Sequence, residues 1–172
     1  RSSAASDVYK RQVLSNDVER IERLITDYSQ VLKDEASQSR AVAKNFDLVH
    51  LIESIIEDFN LDTINQKKNI KFIFLNQNKI NKAIIFGIES RIEQVIANLL
   101  DNSVSFSPND SKITIDLYFD KNNYKISIKD QGPGFDENNL DKVFERFYSD
   151  RPDDQEGSHS GLGLNIVKNI ID

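Results

Sequence analysis

The chain has 172 residues, 38% of them hydrophobic and 29% charged, which suits one globular domain with an appendage. Its net charge of -6, with no basic stripe, disfavours a nucleic-acid partner. It has no cysteine, which excludes disulfides and thiol chemistry, and its two histidines, His50 and His159, are too few and too distant in sequence to suggest a metal site. No apolar run approaches the length of a membrane span and no signal peptide is visible. There is no methionine, so a chain starting at Arg1 reads as a piece of something longer, which leaves membrane attachment of the parent open.

Residues 1–12 are small, polar and aperiodic and read as a disordered leader or an artefact. From there Leu14, Val18, Ile21, Ile25, Tyr28 and Leu32 recur at spacings of 4, 3, 4, 3 and 4, a heptad seam with flanking charges such as Glu19 and Arg23. A lone helix with one apolar stripe is not stable in water at this length, so a partner helix is expected. Residues 33–44 read as the end of that helix and a linker. A short strand over 45–47 follows, with Asp47 as N-cap of a helix from Leu48 to about Ile64. That helix buries Leu48, Leu51, Ile52, Ile55, Ile56 and Phe59 and leaves His50 on the polar side.

Strands are expected over 70–75 and 82–87 from their β-branched and aromatic content. The next segment, 92–107, carries two stripes at helical spacing. Ile92, Val95, Ile96, Leu99, Val104 and Phe106 can bury against a sheet, while Gln94, Asn98, Asn102 and Ser105 line another face. Two asparagines four apart present two amide oxygens along one side of a helix, a donor set suited to a hard cation such as Mg²⁺ that shares its shell with phosphates. A hairpin is expected from the alternation of Ile113, Ile115, Leu117 and Phe119 and then of Tyr124, Ile126 and Ile128. The long polar segment 136–160 reads as a lid or binding loop, ordered only over 143–148. A final amphipathic helix spans 161–171.

Three pieces carry the chemistry. Asp130-Gln131-Gly132-Pro133-Gly134 stands at a strand end, where the glycines allow a sharp turn and close backbone approach. An ionised Asp130 accepts hydrogen bonds only, and against a purine it distinguishes an exocyclic amino group at that edge. Ser160-Gly161-Leu162-Gly163-Leu164 opens a helix, where exposed N–H groups and partial positive charge favour phosphate. The sequence is neither a Walker motif nor a dinucleotide fingerprint.

With the helical Asn98-x-x-x-Asn102, these motifs resemble the catalytic and ATP-binding domain of bacterial sensor histidine kinases, the GHKL or Bergerat-fold ATPases. Asn98 to Asn102 looks like the N box and Asp130 to Gly134 like the first glycine box. Phe144 to Tyr148 looks like the F box and Gly161 to Leu164 like the second glycine box. The finer likeness is to alphaproteobacterial sensors of the ChvG/ExoS type, through the stretches 17–27, 102–106, 147–152 and 159–164. The resemblance implies an α+β fold, a two-layer sandwich with a mixed sheet covered by helices on one face. A long dimerisation helix would precede it.

It further implies residues 13–44 as the second helix of a truncated dimerisation and phosphoacceptor hairpin plus linker. Residues 45–172 become an ATP-binding domain lacking a last strand or two, with a lid at about 136–160. Asn102 would bind Mg²⁺, with Asn98 assisting at the phosphates, and Asp130 would take the adenine amino group. Gly132, Gly134, Gly161 and Gly163 would shape the pocket and lid hinges, and Ser105, Ser160, Leu162 and Leu164 would belong to the same ATP-binding set. Phe144 and Phe147 would anchor the lid, and Tyr148 and Arg151 would lie near the nucleotide.

The implied cofactors are ATP and Mg²⁺. The implied partners are a second copy through the 13–36 helix and a response regulator, with the parent a bacterial inner-membrane sensor and this part cytoplasmic. Two residues depart from the family pattern: Ser105 replaces a frequent lysine, and His159 a frequent glycine. Hydrolysing relatives carry glutamate where Asn98 stands, so the likeness favours transfer over hydrolysis. No histidine-acid phosphoacceptor motif exists here, so this chain is not expected to phosphorylate itself. A non-catalytic nucleotide-binding or dimerisation module and an anti-sigma-type serine kinase are the alternative functions.

Overall fold

The computed structural model describes residues 18, 41–77, 79–146, 148 and 161–172. The heptad helix apart from Val18, most of the linker, Phe147, Arg151, His159 and Ser160 lie outside the described residues. The chain divides into two compact units, Arg1–Ala41 with Arg146–Leu162, and Val42–Glu145 with Gly163–Asp172. The second holds every sheet and helix discussed below.

In chain order its elements are β1 (Lys44–Asp47), α1 (Leu48–Leu61), α2 (Thr63–Lys68), β2 (Lys71–Asn76), β3 (Ile84–Gly87), α3 (Glu89–Phe106), β4 (Lys112–Asp120), β5 (Asn123–Lys129), a 3-10 turn at Glu137–Asn139 and α4 (Gly163–Ile171). Strand β4 pairs in parallel with β2, Lys71 opposite Lys112, and antiparallel with β5, Thr114 opposite Lys129. The result is a mixed three-stranded sheet in the order β2-β4-β5, while β1 and β3 form a separate antiparallel pair.

Strand β4 is the spine of the core. Its alternation sends Ile113, Ile115 and Leu117 to one face, each with no exposed surface. Onto that face pack Leu48, Leu51, Ile52 and Ile55 of α1 and Ile96, Leu100 and Val104 of α3. The expected sandwich of sheet and helices is therefore present.

Local differences from the sequence reading have physical causes. The helix expected to run to about Ile64 stops at Leu61. Asp62 turns extended (φ -65°, ψ 131°), its N–H still donating to the Asp58 carbonyl and its own carbonyl accepting from Gln66 N–H of the next helix. An aspartate competes well for a helix end, and apolar spacing alone does not register that. Helix α3 starts earlier than expected, at Glu89, and is rotated. Leu100 is fully buried and Ser103 is 5% exposed, whereas Leu99 is half-buried and Phe106 is 36% exposed. The adjacent Leu99-Leu100 pair fits either of two neighbouring faces, so periodicity does not choose between them.

Asp47 caps α1 as expected and does more. One carboxylate oxygen accepts from Val49 N–H at 3.1 Å and from Ala83 N–H at 2.9 Å, while Leu48 N–H donates to the Ala83 carbonyl. One side chain thus closes a helix start and ties it to the chain entering β3. Replacing Asp47 by Ala strands two amide donors and is expected to cost about 1–3 kcal/mol. Urea unfolding checks this, with a lower midpoint at unchanged slope as the expected outcome.

Candidate functional site

Helix α3 positions the site because its period separates a buried stripe from a polar one. Burial of Val95, Ile96, Leu100 and Val104 fixes the helix rotation. Asn98 and Asn102 then share another side, both half-buried. The Asn98 Nδ2 atom is buried and has no hydrogen-bond partner among the described residues. Such a donor carries a penalty of about 1–3 kcal/mol until something accepts from it, as a phosphate oxygen can.

The first turn of α4 packs against these two amides. A Cβ added at Gly163 would stand 3.6 Å from Asn102 Nδ2 and 3.8 Å from Asn98 Oδ1. The glycine therefore leaves the helix start bare beside the asparagines. Further back, Asn165 Nδ2 donates to the Phe144 carbonyl at 2.9 Å, holding the segment after the 3-10 turn against α4. Val143 is the buried residue of that segment; Phe144, expected as an anchor, is 39% exposed.

The strand-end carboxylate leans on the same helix. Asp130 Oδ2 accepts from Ser103 Oγ at 3.3 Å, and Oδ1 accepts from Gly132 N–H at 2.8 Å. Two donors fix the carboxylate orientation, and Asp130 remains exposed to solvent. Gln131 Oε1 accepts from Lys112 N–H at 2.7 Å, fastening the loop to the start of β4. A Cβ at Gly132 would meet Asp130 Oδ1 at 3.0 Å, Phe106 O at 3.1 Å and Phe106 Cβ at 3.2 Å. A side chain here would crowd the end of α3, onto which the loop is pressed. At Gly134 it is the backbone, at φ +77°, that requires glycine.

The structure thus gathers Asn98, Asn102, Asp130, Gly132 and Gly163 around α3. Ser105 is half-buried one turn beyond Asn102, and Leu164 is half-buried on α4. Gly161, at φ +68°, Leu162 and Tyr148 belong to the other compact unit. Phe147, Arg151 and Ser160 lie outside the described residues. Sequence reasoning missed Ser103, Gln131 and Asn165. Ser103 was findable: it stands three residues after the buried Leu100, so its hydroxyl needed a partner.

Residues 87–172 match the family described as histidine kinase-, DNA gyrase B-, and HSP90-like ATPase, and the chain belongs to that family of ATP-binding domains. Within it, the domain is of the sensor histidine kinase type. The sensor protein ChvG of Rhizobium meliloti (strain 1021) is 36% identical over 165 residues, covering 93% of this chain and 28% of that protein. ChvG of Agrobacterium fabrum (strain C58 / ATCC 33970) is 33% identical over 166 residues, covering 94% and 28%. The chain therefore spans less than a third of the length of these curated relatives. The catalytic domain of histidine kinase ThkA superimposes with a TM-score of 0.65 at 27% identity, covering 76% of this chain and 80% of that one. ThkA solved in complex with the response regulator protein TrrA shares the fold at a TM-score of 0.60 and 23% identity, covering 75% and 38%.

Asp101, beside Asn102, is an exposed residue, yet its carboxyl is held above its ordinary value of 3.8, first by desolvation and then by the Asp62 carboxylate at the end of α1. The native state therefore keeps this proton to higher pH than the unfolded chain does. Below the unfolded value the group costs nothing; the cost appears as pH rises through the folded value and is full above it. Asp101→Asn removes it. The variant is expected to melt above the parent at pH 7, with the difference vanishing once pH falls below the unfolded value, as thermal scans across pH would show.

Proposed function

We propose that this chain is the catalytic part of a bacterial sensor histidine kinase. It holds Mg-ATP and passes the γ-phosphoryl group to a histidine that neither His50 nor His159 supplies. From there the group moves to an aspartate of a response regulator. The parent protein is a membrane-anchored dimer joined through the 13–36 helix, with this domain on the cytoplasmic side. Among the described residues no helix is long and apolar enough to cross a membrane.

The observation that carries the reading is the convergence on one helix. A carboxylate oriented by Ser103 and Gly132, two asparagines one turn apart and the glycine start of α4 all meet α3. Asp130 accepts from the adenine amino group. Asn98 and the first turn of α4 donate to phosphate oxygens, and the Asn98 Nδ2, which has no partner among the described residues, fits that role. Among the described residues no group of three His, Cys, Asp or Glu side chains could hold a metal. Mg²⁺ would accordingly be held by the Asn102 oxygen together with phosphates and water, the sharing it favours. When bound, it neutralises charge on the transferred group.

An asparagine at position 98 cannot take a proton, so it cannot activate water for hydrolysis. The chain's own contribution is to position the nucleotide and neutralise its charge, leaving the nucleophile to bring its own base. Calorimetric titration is expected to show Mg-ADP binding. Asp130→Asn should reduce the preference for ADP over GDP by about tenfold, more than Asn102→Asp does. With γ-labelled ATP and a separately expressed phosphoacceptor domain, acid-labile label should appear on that domain and none on this chain. Acid-stable label on a serine, or no transfer at all, would contradict the kinase reading.

A further inference from the structure

Helix α3 ends without a basic residue in its last turn. Ser107 N–H returns to the Ser103 carbonyl at 3.0 Å, which leaves the following carbonyls of that turn to find other donors. They find Lys68, 36 to 39 residues earlier in the chain. Its ammonium donates to the carbonyls of Val104 at 2.7 Å, Ser105 at 3.2 Å and Ser107 at 3.1 Å. The backbone holds Lys68 in place from its own side. Its carbonyl accepts from Asp110 N–H at 2.8 Å, and the neighbouring Asn69 side chain donates to Asp110 Oδ1 at 2.7 Å. A half-buried cation therefore closes the negative end of the helix dipole from outside the helix.

What stands on that helix end makes the contact functional. Ser103, whose hydroxyl orients Asp130, lies one residue before the first carbonyl that Lys68 holds. Phe106, onto which Gly132 is pressed, lies between the Ser105 and Ser107 carbonyls. If the last turn frays or shifts, the Ser103 donor and the Phe106 seat move together, and the carboxylate loses one of its two restraints. The remaining one, Gly132 N–H, is on the same loop as Asp130 and moves with it.

We propose that Lys68 is a positioning residue for base recognition: by tying the Val104, Ser105 and Ser107 carbonyls it fixes the turn of α3 against which Asp130 is set. This rests on the nucleotide reading above. Lys68 touches no nucleotide in this account and acts through Ser103 and Gly132. Its replacement should therefore blur the choice of base rather than simply weaken binding.

The test compares the full chain with Lys68→Met, Lys68→Gln and Lys68→Arg, each titrated calorimetrically with Mg-ADP and Mg-GDP below its melting temperature. The parent should prefer ADP; if it binds neither nucleotide, the nucleotide reading fails and this proposal with it. Given that preference, Lys68→Met should lower the ADP/GDP affinity ratio by about tenfold, the scale of a charged hydrogen bond. Lys68→Arg, which still presents cationic donors to the carbonyls, should stay within about threefold of the parent. The Ser103 and Gly132 amide resonances of the ligand-free Met variant should shift, and those of the Arg variant should not. If the Met variant does not fold, the Gln variant is read in its place, with a ratio between those of Met and Arg expected. A melting temperature that falls while the ADP/GDP ratio holds would overturn the proposal and leave Lys68 a stabilising cap.

Discussion

Everything in this domain depends on how α3 is rotated. The helix buries Ile96, Leu100 and Val104 against the Ile113, Ile115 and Leu117 face of β4, all six of them nearly or fully sealed from solvent. Six aliphatic side chains at this depth contribute roughly 1.5–3 kcal/mol each, so the rotation is held by far more than any polar contact supplies. Because the helix has 3.6 residues per turn, fixing the buried stripe also fixes where Asn98, Asn102 and Ser103 stand. The site is polar chemistry set in place by apolar packing, and that packing can be strong without the site being rigidly bonded to anything.

Around the helix the contacts are economical. Asp47 uses one oxygen to hold two amides from segments 34 residues apart, Val49 and Ala83. Lys68 reaches across to the far end of α3, and Gln131 pins the strand-end loop to Lys112. Each places a charged or amide side chain where backbone groups would otherwise lack partners. The Asn98 amide nitrogen is different, since it is buried and left without a partner among the described residues. An uncompensated polar atom beside a glycine-opened helix is an expected mark of a ligand site, where local consistency yields to function.

The sequence was most legible where a short-range rule acts. Alternation located β4 and β5, the cap rule found Asp47, and two stripes on one segment found α3 together with both asparagines. Glycine spacing located the loop at 130–134, but the reason for Gly132 is a helix end rather than a ligand alone. Long-range partners were not legible. Nothing in the local pattern around Lys68 says that its ammonium closes a helix 36 residues on. The Leu99-Leu100 ambiguity hid Ser103, because a one-residue error in helix phase moves a side chain by about 100° around the axis. The division into a two-stranded and a three-stranded sheet was hidden too, since strand propensity does not specify pairing.

In the proposed function, Asp130, the two asparagines and the start of α4 address one nucleotide. The most direct test is a crystal structure of the chain grown with Mg²⁺ and a non-hydrolysable ATP analogue. The adenine amino group is expected about 3 Å from an Asp130 carboxylate oxygen, with the phosphates lying between Asn98, Asn102 and the first turn of α4. A nucleotide bound with its base away from Asp130, or with its phosphates away from α3, would contradict it.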